Sequence, residues 1–126
     1  MRIDPPPSPP YARTYGGHWS WANVRPDVLN PVVGSFYRDL DTRPRGLWDG
    51  EIVAVRTDGK ASTVWRFAYH RSVFDGKDFW DCPRGNVSPD GRAFIFTSNW
   101  GKSLGKTGGG AARQDVFLVV LNQKKQ

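Results

Sequence analysis

Ser88-Pro89-Asp90-Gly91 runs directly into Arg92-Ala93-Phe94-Ile95-Phe96-Thr97-Ser98, and after a loop rich in glycine and lysine the pattern resumes at Gln114-Asp115-Val116-Phe117-Leu118-Val119-Val120-Leu121. Proline presets φ for the second position of a turn, aspartate hydrogen-bonds the backbone ahead of it, and glycine accepts the positive φ of a tight reversal. A hairpin is therefore expected around Asp90-Gly91. In the strand that follows, Phe94, Phe96 and Ser98 fall on one face and Ala93, Ile95 and Thr97 on the other. Both faces are largely apolar or β-branched, as in a strand enclosed by packed sheets. The stretch from residue 83 to 121 thus makes one β-meander unit.

Upstream, Glu51-Ile52-Val53-Ala54-Val55-Arg56-Thr57 and Thr63-Val64-Trp65-Arg66-Phe67-Ala68 form a second pair of strand-like runs, joined through Asp58-Gly59. Period-two patterning bounded by turn residues predicts antiparallel strands over 51–57, 63–68, 84–88, 92–98 and 115–121. Gly16-Gly17-His18-Trp19-Ser20-Trp21 also alternates, with one aromatic face. It is either an inner strand of an earlier unit or an N-terminal strand that closes a sheet in trans. The rest of 16–46 has no readable role.

Composition agrees with an all-β chain divided into three parts. Fourteen Gly, ten Pro and six Trp accompany no long apolar window at helical spacing. Residues 1–15 contain Asp4-Pro5-Pro6-Pro7-Ser8-Pro9-Pro10 and are expected to form a disordered, polyproline-like arm. Residues 16–121 carry the strands, and 122–126, with Lys124 and Lys125, read as a mobile basic tail. The net charge of +6 suits a polyanion. Its arginines are spread along the chain, however, whereas nucleic-acid binding requires a clustered basic stripe. An acidic polysaccharide satisfies the same charge. One cysteine, Cys82, excludes an intrachain disulfide and a cysteine-based zinc site. No apolar stretch follows Met1, so neither a secretory signal nor a membrane anchor is expected.

The Ser-Pro-Asp-Gly turn, the run Ala93-Phe94-Ile95-Phe96-Thr97-Ser98-Asn99-Trp100 and the run Asp115-Val116-Phe117-Leu118-Val119-Val120-Leu121 together resemble the repeat of WD40-like β-propellers of the TolB and oligogalacturonate-lyase type. The resemblance implies antiparallel meander blades. Residues 51–57 and 63–68 would be the third and fourth strands of a preceding blade. A propeller needs at least four blades, and at roughly 40 residues per blade this chain holds about two. It is then the C-terminal portion of a larger propeller, or it joins its sheet edges to other chains, or it folds as a smaller open meander. The resemblance also implies a periplasmic or secreted location, although the sequence itself leaves the compartment undetermined.

Candidate chemistry is sparse. Gly101-Lys102-Ser103-Leu104-Gly105-Lys106-Thr107 ends like a phosphate loop, but only three residues separate its glycines where four are required. Gly108-Gly109-Gly110 follows, with no helix to receive a phosphate. With His18 and His70 as the only histidines, one chain cannot build a three-histidine metal site. In the lyase relatives, histidines on the central face hold a divalent ion, and no histidine stands at Cys82-Pro83-Arg84-Gly85-Asn86. No Gly-x-Ser-x-Gly elbow occurs. We therefore expect no catalytic residue, no cofactor and no metal.

The remaining candidate is the connection from His70 to Arg84, which the resemblance places on the ligand-binding face between two blades. His70, Arg71, Trp80 and Arg84 are predicted to gather at one end of the strands, with Phe79 and Trp80 free to stack on a sugar ring. Packing is the competing role, with Trp80 buried and Arg84 paired to Asp81 or Asp78. The expected function is a non-catalytic binding or assembly module that pairs with a protein partner or with itself through sheet edges. The alternative is a fragment of a carbohydrate-active propeller enzyme acting on an acidic polysaccharide.

Overall fold

A computed structural model describes residues 16–25, 30–37, 48–59, 63–75 and 77–121. The expectations for the proline-rich arm and the basic tail lie outside these residues. Among the described residues there is no α-helix. Strands β1 (Gly16–Ser20), β2 (Val32–Tyr37), β3 (Glu51–Val55) and β4 (Val64–Tyr69) form one antiparallel sheet in chain order. Strands β5 (Gly85–Val87), β6 (Ala93–Ser98) and β7 (Asp115–Val120) form a second. Among the described residues neither sheet closes on itself, and β1, β4, β5 and β7 are edges.

The five predicted strands are present and antiparallel. Residues 51–57 and 63–68 contain the third and fourth strands of the first sheet, with Arg56 N–H to Thr63 O at 3.2 Å extending the pairing toward the turn. Gly59 has φ 68°; the tip of that turn, 60–62, lies outside the described residues. At the second turn Gly91 has φ 70° and its N–H donates to Ser88 O at 2.8 Å. Asp90 Oδ1 accepts from Arg92 N–H at 3.0 Å, as its position in the turn requires.

The two sheets stack face to face around Val33, Ile52 and Ala54 from the first and Val87, Phe94 and Phe96 from the second. Phe94 is fully buried, a contribution of about 2–3 kcal/mol. Three buried serines fasten the sheets at the same interface. Ser20 Oγ accepts from Val87 N–H at 3.1 Å. Ser35 Oγ donates to Pro83 O at 3.2 Å and Ser98 Oγ to His70 O at 2.6 Å. Each hydroxyl satisfies a backbone group at a strand end or edge that the ladders leave unpaired.

One open alternative is decided, and one feature differs from expectation. Gly16–Ser20 pairs with β2 of the same sheet, so it does not close a sheet in trans. The second sheet is covered on one face: Phe94, Phe96 and Ser98 are buried, while Ile95 is 46% exposed and the outward residues of β7 still more so. Its outer face has the apolar composition of a covered surface and no cover among the described residues.

Candidate functional site

The connection between β4 and β5 is held by a buried polar network. Asn99, which follows β6, accepts from Val73 N–H and donates to Val73 O, both at 2.9 Å. Asp81 Oδ1 accepts from Asn99 Nδ2 at 2.9 Å and from Gln114 Nε2 at 2.7 Å, and Lys102 Nζ lies 3.5 Å from its other oxygen. Burial of that carboxylate is tolerable because several donors satisfy it. Asp78 caps the short 3-10 turn Phe79–Asp81 by accepting from Trp80 N–H at 2.9 Å.

With Asp81 drawn inward, the preceding two rings of the turn are displayed outward. Phe79 and Trp80 are each 66% exposed. The Arg84 guanidinium lies 4.0 Å from the centre of the Phe79 ring and 5.1 Å from that of Trp80. Guanidinium and ring attract because the ring face is electron-rich, and that attraction holds two large apolar groups in water. Among the described residues Arg84 forms no ion pair, and its Nη2 is buried without a hydrogen-bond partner.

Beside Arg84 lies a groove of about 470 Å³ whose lining includes His18, Trp19, Asn86 and Thr97. His18 stacks on Tyr37 with ring centres 6.1 Å apart. Its Nε2 is also buried without a partner. Burial, and then the charge of Arg84, lower the His18 pKa. Burial and the Cys82 thiol push Tyr37 up to about 12. Burial likewise raises Cys82. All three are therefore neutral at neutral pH, and Arg84, which has no ion-pair partner among the described residues, contributes a positive charge to the groove.

Of the four residues predicted to gather, Trp80 and Arg84 are brought together. Trp80 is exposed, and Asp81, engaged with Asn99 and Gln114, leaves Arg84 to the rings. Arg71 turns elsewhere, its guanidinium 5.0 Å from the centre of the Trp100 ring, with its own φ at 56°. His70 is fully buried. Its Nδ1 accepts from Ser72 N–H at 2.9 Å, so the neutral ring carries its proton on Nε2, which donates to Phe36 O at 2.6 Å. Burial lowers its pKa to about 4. His18 and Tyr37 were not anticipated at the site, because β1–β2 pairing and the packing of β1 against β5 place them there. The signal available was the alternation that puts His18 and Ser20 on one face of the first strand.

A second cavity, about 550 Å³, opens between the sheets at the opposite end of the strands. Among the described residues no three His, Cys, Asp or Glu side chains gather as metal ligands would. No family model matches the chain. No curated protein and no solved structure matches it significantly.

Proposed function

We propose that this chain is a non-catalytic binding module, built as two blades of a WD40-like propeller, whose Phe79–Trp80–Arg84 surface takes an anionic, ring-bearing ligand such as an acidic sugar. The observation that carries the reading is Arg84: a cation flanked by two exposed rings that forms no ion pair among the described residues. A uronate offers a carboxylate for the guanidinium and an apolar ring face for the indole, which are the two contacts this surface supplies. Two antiparallel meanders stacked in chain order support the propeller part of the proposal.

The test is a titration of oligogalacturonate and of a neutral oligosaccharide against tryptophan fluorescence, in the parent and in Arg84→Ala. The acidic sugar should give a saturable change that weakens at high salt and is lost in the variant, while the neutral sugar gives none. The absence of a saturable change with either sugar in the folded parent rejects the reading.

One observation favours the alternative of a carbohydrate-active enzyme fragment: His18, neutral and unpartnered at Nε2, lies within the electrostatic reach of Arg84. A neutral imidazole lining the same groove as the arginine has the chemistry of a general base, provided that the ligand's approach uncovers its buried nitrogen. Release of unsaturated uronide during the same titration, absent in His18→Gln, would favour the enzyme over the binding module.

A further inference from the structure

The two sheets are built alike, but the first has four strands and the second has three. In the first sheet the fourth position is filled by β4, whose Phe67 reaches across to Phe94 with ring centres 6.3 Å apart. The corresponding position beside β7 is vacant among the described residues. Leu121 N–H donates to Arg92 O at 2.7 Å. Because antiparallel bonding alternates along a strand, Asp115, Phe117 and Val119 also bond inward to β6, and Val116, Leu118 and Val120 turn their N–H and C=O groups outward. No described residue pairs with them. Their side chains are 63%, 64% and 63% exposed.

We propose that the free edge of β7 accepts an antiparallel strand from a partner polypeptide, apolar at alternate positions, which completes the second sheet. Two observations point to such a partner. The first is the edge itself, a row of unpaired backbone groups, which is the template that strand addition uses. The second is continuity with the existing inter-sheet interface. The cavity of about 550 Å³ is lined by Trp65 and Phe67 of β4 on one side and by Val119, Val120 and Leu121 on the other. Trp65 remains 44% exposed there. A strand beside β7 presents its inward side chains to this unfilled end of the core, as β4 does from the other sheet. A second copy of β7 pairs with the edge but leaves the cavity empty, because Phe117 and Val119 already pack into their own core.

The probe is a synthetic peptide of Thr63–His70, the segment that fills the equivalent position in the first sheet. In the 126-residue chain alone, the amides of Val116, Leu118 and Val120 should exchange rapidly with solvent while those of Phe117 and Val119 are protected. The peptide should protect the three outward amides with a saturable dose. Leu118→Pro removes an outward N–H without touching the bonds to β6 and should weaken the peptide by about tenfold or more. Peptide N-methylated only at the alternate amides that face β7 should fail to bind, which tests the same contact in unaltered protein. If the peptide gives no saturable protection, the proposal is overturned. Protection of these amides without peptide overturns it as well: growth with protein concentration means that β7 pairs with a second copy, and independence of concentration means that the chain covers its own edge.

Discussion

Ser20 Oγ accepts the N–H of Val87 at 3.1 Å, across 67 residues of sequence, and so joins the first strand of one sheet to the first strand of the other. Both residues are buried, and Val87 is on the edge of its sheet. Ser20→Ala leaves that N–H without an acceptor in a dry interface. A loss of about 1–3 kcal/mol is expected, read as a lower urea midpoint with an unchanged slope. An unchanged midpoint would mean that water reaches the interface and replaces the hydroxyl.

His70 makes stability depend on pH. Its ordinary pKa is 6.5 and burial lowers it to about 4 in the fold. Between those values the unfolded chain binds more protons than the folded one, so stability falls as pH drops through that window and levels off below it. The loss is on the order of 3 kcal/mol. Urea unfolding at several pH values should show this slope, and His70→Gln should flatten it. Equal slopes in the parent and the variant would remove His70 as the cause.

Gly91 stands at φ 70° in the Ser-Pro-Asp-Gly turn, where a Cβ meets no crowding closer than 3.6 Å. Strain, not a clash, then sets the cost of a side chain. Gly91→Val should destabilise by about 1–2 kcal/mol, and Gly91→Asn, which tolerates this backbone region better, by less. Equal thermal midpoints for the two variants would show that the turn does not hold its positive φ.

Asn99 holds the displayed rings indirectly. Asn99→Ala strips Asp81 of one donor and both Val73 backbone groups of their partners. A loss of at least about 2 kcal/mol is expected. Because Asp81 anchors the turn that carries Phe79 and Trp80, acrylamide quenching of tryptophan should change in a variant still folded by circular dichroism. Quenching identical to the parent would separate the network from the rings.

The strands from 51 to 121 were legible because each is fixed by neighbours in sequence: Asp-Gly turns, and apolar residues at every second position. The strand Val32–Tyr37 was not. Gly34 and Ser35 interrupt its apolar run, and both make sense only across the sheet or beyond it. A Cβ on Gly34 would lie 2.7 Å from the Trp19 ring, and Ser35 bonds Pro83 in the connection that leads into the other sheet.

At the site the same division holds. Phe79, Trp80 and Arg84 are close in sequence, the two rings on one short turn and the arginine three residues beyond it, so their meeting was predictable from local geometry. Arg71 reaches Trp100, and His18 and Tyr37 arrive beside Arg84, through pairings between distant segments. Whether His70 would be a surface ligand or a buried strut depended on the Phe36 carbonyl, 34 residues away. Turn chemistry and strand period are short-range terms that the sequence states by itself, and they determined an all-β meander with a turn at Asp90-Gly91. Burial, the protonation of His70 and the edge of β7, which no described residue pairs, depend on which strands meet, and only the tertiary structure decides that, because the energies involved are set by neighbours brought together from dozens of residues apart.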